Sequence, residues 1–210
     1  MPTKTQSTTS STLRKVPTLS LGSYLHGSEN DKVRFIDQLF HGMKDYGFII
    51  LKDHQVSVEL LSQAYQLLEK LFALPESTKL SYISELGGGQ RGYTAFGKEN
   101  AKDSPVKDLK EFWHVGREVS ADHPFSKYYP KNIWPTEYLA EFQPLFQKLY
   151  FELEQAGIQM MEALTYPLLL EKDYFRKMVV EGNSILRLLH YILMRKSFFE
   201  IYIFLYFTNF

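Results

Sequence analysis

The stretch DYGFIILKDHQVSVELLSQAYQLLEKLFALPESTKLSY, residues 45–82, runs a β-type segment straight into an amphipathic helix. Gly47 to His54 gathers Phe, Ile and Leu between a glycine and a polar turn, which predicts a buried strand. Ser57 is a residue type that caps helix N-termini. After it, Leu60, Leu61, Ala64, Leu67, Leu68, Leu71 and Phe72 recur at spacings of three and four, which predicts a helix with one core-facing side. Pro75 then opens a further short helix.

On the N-terminal side, VPTLSLGSYL (16–25) alternates apolar and small polar residues and predicts a short edge strand. Asn30 is the expected cap of a helix carrying Val33, Ile36, Leu39, Phe40 and Met43 on its apolar side, with Gly47 as its stop. On the C-terminal side, Leu86 to Ser104 has glycines, charges and no period, so a long mobile loop is expected. KEFWHVGRE (110–118) predicts a strand. Thr136 is the expected cap of a helical tract reaching Leu170, and SILRLLHY (184–191) begins another β-type run. These elements divide the chain into a flexible leader (1–15), a mixed region (16–135), a long helix with a connecting helix (136–183), and a strand followed by a hydrophobic tail (184–210).

With 24 Lys and Arg against 24 Asp and Glu, the chain has no net field to draw it to nucleic acid or anionic lipid. The absence of cysteine excludes disulfides, thiolate nucleophiles and Cys-held metals. MPTKTQSTTSSTLRKVP lacks the apolar core of a secretory signal, and the longest uncharged run of the tail, Ile201 to Phe210, is half of the roughly 20 residues that span a bilayer. A cytoplasmic protein with no membrane span is expected.

GGGQRG (87–92) fits a dinucleotide-binding string but lacks a following helix in the pattern, so its glycines read as loop residues. A non-haem iron site needs two histidines and a carboxylate with open positions beside them. None of His26, His41, His54, His114, His123 or His190 has Asp or Glu two positions later, the compact form of that site. His54, directly after the predicted strand, reads as a turn residue or, alternatively, as a catalytic one.

Together, VPTLSL, residues 45–82, RGYTAFGKENAKDSPVKDLKEFWHVGRE, NIWP and SILRLLHY resemble, in order from residue 16 to Tyr191, the isopenicillin N synthase-like family of 2-oxoglutarate/Fe(II)-dependent dioxygenases. The resemblance implies an α+β fold: a mainly helical N-terminal region with a few short strands, packed outside a double-stranded β-helix (jelly-roll) that is incomplete here. In that family a His-x-Asp and a later His hold Fe(II), an Arg-x-Ser pair holds 2-oxoglutarate, and a small molecule is oxidised. Tyr191 matches a tyrosine on the entering strand that faces the 2-oxoglutarate and iron pocket, although Ile192 stands where the family has proline. Arg91 and Tyr93 match a loop near the substrate entrance, where an arginine pairs with a substrate carboxylate. The opposing reading leaves Arg91 solvated and Tyr93 packed.

After Tyr191 the resemblance stops. Of the last nineteen residues, 14 are Phe, Ile, Leu, Tyr, Asn or Lys, types with codons built only of A and T, so a frameshifted, truncated and inactive dioxygenase is expected; the opposing reading makes the tail a genuine hydrophobic strand pair in a divergent fold. Neither Fe(II) nor 2-oxoglutarate is expected to bind such a chain well. Its helices would lose their cover, leaving Leu60, Leu67, Phe146 and Leu149 exposed, and the uncharged, β-prone aromatic tail has the character of an aggregating segment; both promote self-association. The alternatives are a helical module that grips a partner without catalysis, or a different enzyme built on His54, His114 or the Arg91–Tyr93 loop.

Overall fold

A computed structural model of the chain describes residues 15–84, 87–99, 108–192 and 199–206. The expected leader falls outside these residues but for Lys15, as does part of the expected long loop. The chain divides into two compact units, residues 1–54 and 55–210.

In the first unit, β1 (Thr18–Ser20) pairs in parallel with β2 (Ile50–Lys52). The expected edge strand is therefore only three residues long. Ser20 ends it by capping α1 (Leu21–His26), its hydroxyl accepting from the Ser23 amide at 3.1 Å. The next helix, α2 (Glu29–Tyr46), is capped by Ser28 and not by Asn30. Ser28 Oγ accepts from the Asp31 amide while the Asp31 carboxylate accepts from the Ser28 amide, a reciprocal pair that Asn30 has no partner to form. Gly47 stops α2 at φ 78°, as expected.

The buried line of α2 is Phe35, Leu39 and Gly42, whereas Val33 is 65% exposed. Ile49 and Pro17 approach so closely that a β-carbon at 42 would stand 2.5 Å from Ile49 Cγ2, so the helix turns its smallest residue to them. The run 47–54 is not a buried strand either: Phe48 and Ile50 are exposed, because β2 has a single neighbour and lies in a two-stranded sheet.

In the second unit, Ser57 caps α3 (Val58–Phe72) through the Leu60 amide at 3.1 Å. Leu60, Ala64, Leu67, Leu68, Leu71 and Phe72 are all buried, and Leu61 lies half-buried at their edge. Pro75 precedes α4 (Glu76–Leu80). A 3-10 turn at Gly87–Gly89 leads to β3 (Gly92–Thr94), and β4 (Lys110–Gly116) follows where a strand is predicted.

The long helix α5 (Phe142–Thr165) starts five residues later than a cap at Thr136 would place it. A start at 137 would bury Pro144 in the helix interior, where it removes a hydrogen bond and clashes with the preceding turn; a start at 142 puts it in the first turn, where no amide partner is lost. After α6 (Tyr174–Val180) come β5 (Ile185–Ile192) and β6 (Phe199–Tyr206).

The antiparallel sheet has the order β3-β4-β5-β6, so residues of the expected aberrant tail form its fourth strand. Alternate residues of β4 and β5 point to opposite faces. Trp113, Val115, Leu186 and Leu188 share the core with α3 and with Phe142, Phe146 and Leu149 of α5. The sheet therefore supplies the cover that the helices were expected to lack: Leu60 is 5% exposed, Leu67 7%, and Phe146 and Leu149 0%. The architecture is α+β.

Candidate functional site

The two faces of β4 and β5 hold different polar chemistry. On the core face Glu111 is a hub. One carboxylate oxygen accepts from Lys79 Nζ at 2.7 Å and from the Tyr93 hydroxyl, and the other lies 2.7 Å from His190 Nδ1. Lys79 also donates to the Phe72 carbonyl, and the Phe72 ring stacks on His190 at 4.9 Å. Burial works against the Glu111 charge, yet the bonds from His190, Lys79 and Tyr93 outweigh it and hold the carboxyl below its ordinary range. Burial and the same carboxylate push the Tyr93 hydroxyl far up.

The opposite face floors a cavity of about 490 Å³. The β4–β5 register places His114 opposite Arg187 and Phe112 opposite Leu189, with Thr94 of β3 beside Phe112. Gly88, Gly89 and Gln90 form one wall, and Lys98 and Glu99 another. GGGQRG is followed by a strand and not by a helix, so it lacks the context of a dinucleotide site.

His114 lies 2.8 Å by Nδ1 from the Gly89 carbonyl, and Arg187 Nε donates to its Nε2 at 2.6 Å. These partners require a proton on Nδ1 and a lone pair on Nε2, which is the neutral ring. Burial, reinforced by Arg187, lowers its pKa to about 4. Arg187 lies over the Phe112 ring at 4.5 Å and pairs with Glu99 at 3.5 Å. Glu99 also pairs with Lys110 at 3.1 Å, and Lys110 with Asp108 at 2.8 Å. Burial disfavours the Lys110 charge, and the two carboxylates more than offset that, raising its pKa.

Arg91, Tyr93 and Tyr191 do not come together. Arg91 is not solvated: it is 0% exposed, donating to the Gln90 carbonyl at 2.8 Å and to Asn183 Oδ1 at 2.7 Å. No carboxylate among the described residues pairs with it, and burial lowers its pKa. Gly116 makes the room, since a β-carbon there would stand 1.8 Å from Arg91 Cζ. Tyr93 is buried on the core face against Glu111. Tyr191 is half-buried opposite Lys110, on the same face as Arg187. Six register steps separate its pair from the Gly116 pair that abuts Arg91, roughly 20 Å of strand.

The polar groups that sequence reasoning missed are Glu111, Thr94, Lys98, Glu99 and Arg187. A charged residue inside the apolar run ILRLLHY is the one signal that would have drawn attention to Arg187.

His114 and His190 face opposite sides of the sheet, and each is committed to a neighbour. Among the described residues no three His, Asp or Glu side chains gather closely enough to hold a metal, so this donor set does not fit Fe(II). His54, in the first unit, has no partner for Nδ1 among the described residues. No helix among them is long and apolar enough to cross a membrane.

Residues 16–137 match the family described as non-haem dioxygenase in morphine synthesis N-terminal. The chain is 31% identical over 152 residues to the 2-oxoglutarate-dependent dioxygenase thnC of Trichoderma harzianum, covering 71% of this chain and 47% of that protein. It resembles the solved structure of a 2OG-Fe(II) oxygenase family protein from Caulobacter crescentus, with a TM-score of 0.75 and 37% identity over 87% of this chain and 58% of the other. A full-length Neurospora crassa protein solved in complex with alpha-KG and thymine gives a TM-score of 0.70 and 28% identity, covering 84% of this chain and 55% of that one. The chain spans about half the length of the relatives it matches.

Proposed function

Since the chain belongs to the non-haem dioxygenase N-terminal family, we propose that it is the N-terminal part of a 2-oxoglutarate-dependent, non-haem iron oxygenase of the isopenicillin N synthase-like group. Such an oxidoreductase uses dioxygen to oxidise a small molecule. The observation that carries this reading is the family match over 16–137, made by a chain that spans about half the length of the oxygenase relatives it matches.

In this reading the chain contributes the helical layer and the first sheet strands. Their outer face, with Arg187 and Tyr191, turns toward substrate and co-substrate. Iron, when bound, supplies the activation of dioxygen, and its ligands lie outside these 210 residues: none of the six histidines has a carboxylate two positions on. The chain's own part is to floor the small-molecule cavity. Arg91 braces the cavity wall from behind through the Gln90 carbonyl.

The test is turnover of 2-oxoglutarate by the purified chain with Fe(II), ascorbate and dioxygen, read as succinate. The expected result is no succinate above the protein-free blank. Iron-dependent succinate formation would show that the 210 residues do assemble an iron site and would overturn the reading.

A further inference from the structure

The outer-face cavity carries an excess of positive charge and of hydrogen-bond donors. Among the described residues, Lys98 and Arg187 line it against one acidic side chain, Glu99, and His114 between them is neutral because its Nε2 accepts from Arg187. Glu99 is already engaged by Lys110 and Arg187. Asn183 donates to Gln90 Oε1 at 2.9 Å, which leaves the Gln90 NH₂ as a donor. Among the described residues nothing accepts from that NH₂, from the Thr94 hydroxyl or from the Lys98 ammonium. Phe112 and Ile185 give the cavity its apolar floor, and about 490 Å³ is ample for a small molecule.

We propose that this cavity binds a small substrate through its carboxylate, with Lys98 as the ionic partner, Thr94 and Gln90 as neutral donors, and Phe112 and Ile185 against its apolar body. A carboxylate is the group that matches a site rich in donors, poor in acceptors and one positive charge out of balance. Calling the ligand a substrate rests on the family reading; the carboxylate selectivity stands without it. The shared chemistry leaves one competing source, 2-oxoglutarate itself, which the test separates.

The experiment is calorimetric titration of the full metal-free chain with benzoate, with its uncharged isostere benzamide and with 2-oxoglutarate. Benzoate is expected to bind at one site at least tenfold more tightly than benzamide. Lys98→Gln, at an exposed side chain with no bond to lose among the described residues, is expected to weaken benzoate about tenfold and leave benzamide unchanged. Equal binding of benzoate and benzamide, no binding of either, or an affinity for benzoate indifferent to Lys98→Gln would overturn the proposal. Tighter binding of 2-oxoglutarate, displacing benzoate and weakened by Lys98→Gln, would assign the cavity to the co-substrate and overturn it equally. Because no iron is present, none of these outcomes depends on the turnover test.

Discussion

The guanidinium of Arg91 occupies the space that a β-carbon on Gly116 would need. It ends a flexible side chain and can move in principle, but it is fully buried, and moving it would break its bonds to Asn183 and the Gln90 carbonyl. Gly116→Ala is therefore expected to destabilise the chain by about 1–3 kcal/mol. Arg91→Ala should cost stability too, while the double variant should cost less than the sum, because Arg91→Ala removes the side chain that the new β-carbon would strike. Urea denaturation of the four proteins measures this, and strictly additive losses would show that the two residues do not meet. Nothing in RGYTAF announces the burial of Arg91. Its environment is set by a glycine 25 positions away and an asparagine 92 away, contacts that no local pattern encodes. Tyr93, two residues on, is turned by strand β3 toward Glu111 on the core side, so a loop that reads as one candidate site splits into two structural anchors.

Helices that depend on local signals were legible element by element, and those that depend on competition between signals were not. Ser57 and the leucines after it define α3 completely, whereas two cap candidates, Ser28 and Asn30, stand close together and only the Ser28–Asp31 exchange decides between them. Strand β4 was legible as a strand but its faces were not: all residues from Glu111 to Gly116 are buried, so no polar alternation marks which side meets the helices. That double burial has a thermodynamic consequence. His114 titrates at about 4 in the fold against 6.5 ordinarily, so between those values the unfolded chain binds the proton and the folded chain does not. Stability is therefore lost as pH falls across this window, by about 3 kcal/mol in total. Glu111, held below its ordinary value, continues the loss as pH falls through its folded value. Urea midpoints taken from neutral pH down to 4 should fall steadily, and His114→Gln should flatten the slope between 6.5 and 4. A slope between 6.5 and 4 that is the same in the parent and in His114→Gln would mean that His114 does not carry the loss.

At the scale of the whole molecule, the α+β layering was legible from the order of motifs, but where the molecule meets other molecules was legible only in part. Sequence reasoning placed the self-associating surface on α3, α5 and the aromatic tail, and the sheet covers the first two. The segment FEIYIFLY has no alternation that predicts a face, because its strand arises from pairing with β5 along all eight residues, a tertiary effect. Strand β6 ends the sheet order, so its outer backbone groups have no partner strand among the described residues. With one charge in eight residues it lacks the devices that keep edges apart. Self-association is therefore expected to run through this edge by strand addition between copies, and not through the helical layer. Light scattering should give an apparent mass that rises with concentration above the 24.6 kDa of one chain. Ile203→Lys, which puts a charge on the edge, should return the mass toward that value without altering the helical circular dichroism. A parent chain that stays monomeric at all concentrations, or a Lys variant that associates as strongly, would place the edge outside the contact.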